Sequence, residues 1–259
     1  MRKLTSALRL TVGFLFVGAV VALIFAGLIV LLPAGRRARI LWTNHMGSLL
    51  GWGVVRISGS RLEVTGREHA VPDRPVIYAN NHTSTLDAFL TIWLTPPGTV
   101  GLAKKEIIYY PFYGQAWVLS GHPTVDRKSP ERARASMKAL GELVRKLRLS
   151  VCMLPEGTRA RDGRLLPFKK GIVHLAIQTG LPIVPMVTTG AGKAWDKGDW
   201  TIRPWDIRVE FLEPIETTTW SLEDIDGHLA DLRGVFVDAL PDDMLTEEDR
   251  AARDARRAA

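Results

Sequence analysis

The chain has 259 residues, 46% of them hydrophobic, with 34 Lys and Arg against 27 Asp and Glu and a single cysteine, Cys152. One cysteine excludes an internal disulfide and suits a reducing compartment, and the length suits one globular domain with an appendage. The basic excess points to anionic partners: membrane lipid, nucleic acid or an acidic carrier protein.

The N-terminus selects the lipid. From Leu10 to Gly35 no residue is charged, a run of about 26 residues where roughly 20 suffice to cross a bilayer core. A signal peptide is the rival reading, because Arg2, Lys3 and Arg9 precede the run, but the run is too long for an h-region and no small-x-small cleavage site precedes Arg36. A second stretch, Ile40 to Ile57, mixes Trp42, Met46, Leu49, Leu50 and Trp52 with Asn44, His45 and several glycines. It is too polar for a span and reads as an interfacial or re-entrant helix. Basic residues flank both ends of the first run (Arg2, Lys3, Arg9; Arg36, Arg37, Arg39), so the positive-inside rule gives no orientation. Both ends on one face, with the two helices dipping into one leaflet as a hairpin, is the expected arrangement.

From Leu62 onward short apolar runs (Leu62 to Val64, Val76 to Tyr78, Val100 to Ala103, Ser150 to Leu154, Ile183 to Val187, Ile207 to Phe211) alternate with helical stretches, of which Glu131 to Leu147 is clearest. The alternation predicts an α/β domain with a mixed, largely parallel sheet flanked by helices. The predicted organisation is membrane-anchoring helices over 1–60, the α/β domain over 61–240 and a charged, solvated tail over 241–259.

Within that domain, His82-Thr83-Ser84-Thr85-Leu86-Asp87 lies where the Val76 to Tyr78 strand hands over to an apolar helix starting at Asp87. An imidazole on the loop and a carboxylate in the first helical turn face each other, so the carboxylate can hold one ring nitrogen protonated and leave the other as a general base. A structural histidine–carboxylate bond is the alternative from these residues alone. Ser84 reads as an N-cap, and Cys152, inside an apolar strand, as core.

The strand Ser150 to Leu154 runs into Pro155-Glu156-Gly157-Thr158-Arg159, which is either an anion-binding corner or a tight turn with a Glu–Arg surface pair. Asp126-Arg127 is either structural or part of the same site, since open α/β sheets bind ligands at the carboxyl ends of their strands. The basic residues of the Glu131 to Leu147 helix read as a solvated face. His45, His69, His174 and His228 have no metal-ligand spacing, so no metal is expected, and without a P-loop or Gly-x-Gly-x-x-Gly turn no nucleotide-fuelled chemistry is expected.

The order of these motifs is informative. Asn81 to Asp87, then Lys104-Lys105-Glu106 with Pro111-Phe112 and Gly114, then Gly121 with Val125-Asp126-Arg127, then Pro155 to Arg159, Phe168-Lys169-Lys170-Gly171 and Leu181-Pro182-Ile183-Val184-Pro185, resembles the bacterial 1-acyl-sn-glycerol-3-phosphate acyltransferases. Thr83, His122-Pro123-Thr124 and Ala160 depart from the usual pattern. The resemblance implies catalysis by His82 and Asp87, without cofactor or acyl-enzyme. It implies a glycerol-phosphate site from Arg159, Glu156, Gly157, Thr158, Arg127 and Lys105, and an acyl site that includes Pro182, Val184 and Pro185. The implied donor is acyl-CoA or acyl carrier protein, the acceptor lysophosphatidic acid, and the setting membrane lipid at the cytoplasmic face of a bacterial membrane, with no nucleic acid. The alternatives are another acceptor, glycerol 3-phosphate or a different lysophospholipid, a membrane-anchored thioester or lysolipid hydrolase, and a non-catalytic membrane-surface protein.

Overall fold

The structure, a computed structural model, describes residues 2–70, 73–195 and 202–258, with side chains from residue 5 onward. The flanking side chains of Arg2 and Lys3 therefore lie outside the described residues. In chain order the elements begin with α1 (Arg2–Val30), α2 (Gly35–Ser58), β1 (Arg61–Thr65), α3 (Arg67–Ala70), β2 (Ile77–Asn80), α4 (Leu86–Leu94), β3 (Thr99–Gly101) and β4 (Ala103–Lys104). They continue with α5 (Tyr113–Ser120), β5 (Thr124–Val125), α6 (Pro130–Leu147), β6 (Ser150–Met153), α7 (Gly171–Thr179), β7 (Ile183–Thr189), α8 (Ala191–Ala194), β8 (Asp206–Phe211), α9 (Ile225–Ala239) and α10 (Glu247–Ala258).

All six apolar runs form one mixed sheet in the order β1-β8-β7-β2-β6-β3. Its pairings are parallel except for β7 with β8, where Met186 faces Phe211. The central β2 is buried along its whole length between β7 and β6. Strands covered on both faces carry unbroken apolar runs rather than alternation, as Ile77-Tyr78-Ala79 and Ile183-Val184 do. Two hydrophobic clusters cover the faces: one centres on α6, α7 and α9, the other on α1, α2 and α4.

Helix α1 includes the stretch Thr5–Val30, which is long and apolar enough to cross a membrane. Val20, Ile24 and Leu28, spaced one turn apart, are buried, while Leu8, Phe14, Leu15, Ile29 and Val30 stand exposed on the same helix. Both of its ends meet the α/β domain. The N–H of Ile202 donates to Ser6 Oγ at 3.3 Å, and Arg36, just past the other end, donates through Nε and Nη2 to the carbonyl of Gly121 at 2.8 and 2.5 Å.

Helix α2 is glycine-rich because it packs closely. A Cβ on Gly51 would come within 2.3 Å of the Phe89 carbonyl oxygen on α4, and one on Gly47 within 2.5 Å of Ile92. The expected interfacial helix is thus seated directly against the helix that carries Asp87. Trp42 donates its indole N–H to the Ile24 carbonyl at 3.1 Å, and Trp52 is exposed.

The solvated tail expected after Pro241 is instead α10, docked on α9. Arg233 forks onto both carboxylate oxygens of Asp249 at 2.5 and 2.8 Å, and the nearly buried Arg253 reaches Asp242 at 2.5 Å. Glu247, Glu248 and Asp249 in the first turn, with Arg256 and Arg257 in the last, complement the helix dipole. The segment's charge pattern reads as solvated because its ordering partners lie on another helix.

Candidate active site

Helix α4 positions the centre. His82 Nδ1 lies 3.2 Å from Asp87 Oδ2, with the imidazole mostly covered and the carboxylate fully buried. The same oxygen accepts the backbone N–H groups of Thr83 at 2.6 Å and Ser84 at 2.7 Å. Asp87 Oδ1 is buried with no hydrogen-bond partner among the described residues. The carboxylate therefore grips the loop and the imidazole together, and fixes Nδ1 as the protonated nitrogen.

The loop is held from behind. Asn81 exchanges two hydrogen bonds with Thr188 on β7: its side-chain amide donates to the Thr188 carbonyl at 2.9 Å, and the Thr188 N–H donates to Asn81 Oδ1 at 2.7 Å. Asn80 donates to Thr91 Oγ1 and accepts from Thr188 Oγ1, both at 2.9 Å. In the sequence Asn80 and Asn81 read only as loop-favouring residues at the end of an apolar strand; their partners on β7 and α4 carry no sequence signal. Ser84 Oγ donates to the Trp195 carbonyl at 2.5 Å and accepts the Leu86 N–H, while Thr85 occupies the N-cap position itself. Ser84 is therefore not the expected N-cap; its hydroxyl is committed within the loop, between the Trp195 carbonyl and the Leu86 N–H.

Glu156 departs from its expected place at the phosphate. It is buried, its Oε1 accepts the backbone N–H of His82 at 2.6 Å, and its Oε2 accepts that of Leu166 at 2.9 Å. Burial raises its carboxyl to about 7; the two N–H donors act against this and the nearby Asp87 charge adds to it. This carboxyl braces the histidine loop and does not face solvent. The Ala160 N–H donating to the His82 carbonyl at 3.1 Å closes the same brace.

The cationic residues gather around the adjoining turn. Gly157 has a left-handed φ of 72°, and a Cβ there would stand 3.5 Å from Lys169 and 3.6 Å from Arg127. Arg127 donates to the Gly157 carbonyl at 2.8 Å, and Arg159 donates to Thr85 Oγ1 at 2.5 Å, linking the turn to the histidine loop. Parallel pairing of β4 with β5 sets Lys105 beside Asp126, 3.1 Å apart. Asp126 is held below the usual carboxylate range, first by the Lys128 N–H and then by Lys105. Thr158 is exposed on the turn.

An apolar cavity of about 280 Å³ separates α1, α2 and α5 from the sheet; Val21, Ile24, Ala88, Ala116, Cys152 and Leu154 are among its lining. Pro182, Val184 and Pro185 are not part of that lining. Val184 and Pro185 pair with Tyr78 and Ala79 in the middle of the sheet, where Val184 is fully buried. Cys152 faces the cavity rather than the cationic turn, and burial pushes its thiol up to about 12, which makes it inert. Among the described residues no cluster of His, Cys, Asp and Glu could hold a metal ion.

The acyltransferase family model matches residues 61–189. A 1-acyl-sn-glycerol-3-phosphate acyltransferase of Limnanthes douglasii is 44% identical over 92% of this chain and 84% of its own length. The enzyme of that name from Haemophilus influenzae is 31% identical over 61% of this chain and 67% of its own. The crystal structure of the 1-acyl-sn-glycerophosphate (LPA) acyltransferase PlsC from Thermotoga maritima superposes with a TM-score of 0.72, covering 91% of this chain and 96% of that one at 24% identity, a likeness of fold. The chain belongs to the 1-acyl-sn-glycerol-3-phosphate acyltransferase family and is an O-acyltransferase.

Proposed function

We propose that this protein transfers a fatty acyl group from an acyl thioester, acyl-CoA or acyl carrier protein, to the sn-2 hydroxyl of lysophosphatidic acid, giving phosphatidic acid. The observation that carries the reading is the 3.2 Å contact of His82 Nδ1 with the buried Asp87 carboxylate, which leaves Nε2 as the basic nitrogen. Nε2 removes the proton of the sn-2 hydroxyl as its oxygen bonds to the thioester carbonyl carbon. Asp87 stabilises the imidazolium, and collapse of the tetrahedral adduct breaks the C–S bond, with the proton passing to the departing thiolate. Arg159, Arg127 and Lys105 hold the acceptor's phosphate at the Gly157-Thr158 turn, and Glu156 acts by fixing the His82 backbone. An acyl chain occupies the apolar cavity, while Pro182, Val184 and Pro185 support the sheet beneath the loop.

The same reading holds α1 and α2 in one leaflet as a hairpin at the cytoplasmic face. Both ends of α1 meeting the α/β domain supports this, because a helix crossing the bilayer would carry one end away from it. The exposed apolar side of α1, with Leu49 and Trp52 of α2, is the surface for lipid.

The test is purified protein with radiolabelled acyl-CoA and acyl carrier protein against lysophosphatidic acid, glycerol 3-phosphate and other lysophospholipids. Phosphatidic acid as the dominant product is expected. Free fatty acid formed without any acceptor would assign a hydrolase instead, and preference for another acceptor would reassign the substrate.

A further inference from the structure

A second basin, of about 600 Å³, opens beside the His82 loop, on the side of β2 that carries β7 and β8. Lys105 and Arg127 instead follow β4 and β5, which form a separate two-stranded sheet. The volume falls within the roughly 300–1,000 Å³ of small-molecule sites. Thr83, the neighbour of His82, is in its wall, and so are Thr189 and Gly190 at the carboxyl end of β7. There the start of β8 lies antiparallel beside the carboxyl end of β7, and open α/β sheets take ligands outside the carboxyl ends of their strands.

The lining is unlike the apolar cavity. It carries Arg161, Lys193, Arg203 and Arg208 against the carboxylates Asp162, Asp206 and Asp243. Lys193 pairs with Asp243 at 2.9 Å and Arg208 with Glu63, outside the lining, at 2.9 Å. Arg161 is exposed and has no hydrogen-bond or ion-pair partner among the described residues. Trp205 is 47% exposed, with the Lys193 ammonium 5.8 Å from its ring centroid. A half-exposed aromatic ring with an ammonium over it, next to a guanidinium that has no partner among the described residues, matches a flat base bearing phosphates.

The geometry points to a site for the 3′-phosphoadenosine diphosphate end of a coenzyme A thioester, with adenine on Trp205 and phosphate on Arg161 and Lys193. This rests on the acyl-transfer reading above: a nucleotide here leaves its thioester arm to run past Thr83 to His82, while the acceptor's phosphate sits across the loop. A carrier-protein donor lacks the nucleotide and leaves the basin unused.

The experiment uses the full chain in detergent, with Arg161→Gln, Arg161→Lys and Trp205→Leu. Binding of 3′,5′-adenosine bisphosphate is measured by calorimetry, and KM is measured for acyl-CoA and for the acyl-pantetheine thioester of the same chain length. Trp205→Leu and Arg161→Gln each weaken nucleotide binding about tenfold and raise the acyl-CoA KM by a similar factor, the loss of one stacking or charged contact. The acyl-pantetheine KM moves by no more than about twofold, which also reports an intact fold, and Arg161→Lys restores part of the loss. Wild-type nucleotide affinity in the variants, or an equal KM rise for both donors, overturns the site. Binding is read without turnover, so a wild-type chain that binds the nucleotide but transfers no acyl group upholds the basin and overturns the acyl-transfer reading. One that transfers acyl groups but binds no nucleotide overturns the basin alone.

Discussion

The backbone N–H of His82 donates to Oε1 of Glu156 at 2.6 Å, across a sequence separation of 74 residues. The His82 loop and the turn that bears the arginines are thereby tied together, because Glu156 also takes the Leu166 N–H at 2.9 Å on its other oxygen. A carboxylate in the middle of a cationic motif is thus spent on two backbone N–H groups.

Glu156→Ala therefore acts on turnover. It strands two backbone N–H groups, each costing about 1–3 kcal/mol when buried and unpaired. Thermal unfolding shifts down, and kcat falls while the acceptor KM changes little. A rise in acceptor KM at unchanged kcat, from steady-state assays, would return Glu156 to the substrate site.

The same carboxyl gives stability a pH dependence. Its level of about 7, against an ordinary 4.5, means that the folded chain keeps this proton longer than the unfolded chain does. The stabilisation is complete below pH 4.5 and is lost as pH rises through about 7, by something of the order of 3 kcal/mol. Glu156→Gln removes that slope. Denaturant unfolding in micelles from pH 4.5 to 8 checks it, and parallel curves for the two proteins would refute it.

At the turn, Arg159→Ala raises the KM for lysophosphatidic acid by about tenfold to a hundredfold, the worth of a charged hydrogen bond. Arg127→Ala and Lys105→Ala have smaller effects, since these side chains are more exposed to water than Arg159. Kinetics with monoacylglycerol, which has no phosphate, separate the readings: an equal loss with both acceptors would place Arg159 in holding Thr85 rather than the phosphate.

Filling the apolar cavity alters donor choice. Ala116→Phe adds bulk to the lining between α5 and the sheet and shifts preference towards shorter acyl thioesters. Competition between short and long acyl-CoA measures the shift. An unchanged ratio would put the acyl chain elsewhere, with Pro182, Val184 and Pro185 as the first place to look.

Features set by local chemistry were legible in the sequence. Ile77-Tyr78-Ala79 and Ile183-Val184 declare buried strands by their side chains, and the spacing of His82 and Asp87 needs only one loop and one helical turn to become a contact. Features that depend on distant partners were not. Glu156 meets His82 only because β2 and β6 are neighbours in the sheet, and the glycines of α2 acquire their meaning from α4. The charged segment after Pro241 gains order from Arg233, which lies on a different helix. The cavity has no motif at all, because its lining comes from α1, α2, α4, α5 and the sheet together.

His82→Ala tests the catalytic assignment most directly, in purified protein assayed with labelled acyl-CoA and lysophosphatidic acid, with thermal unfolding as the control for folding. Loss of a general base is expected to lower kcat by about 10²- to 10⁴-fold at nearly unchanged stability. A variant that folds and turns over within about threefold of the wild type would contradict a base at His82.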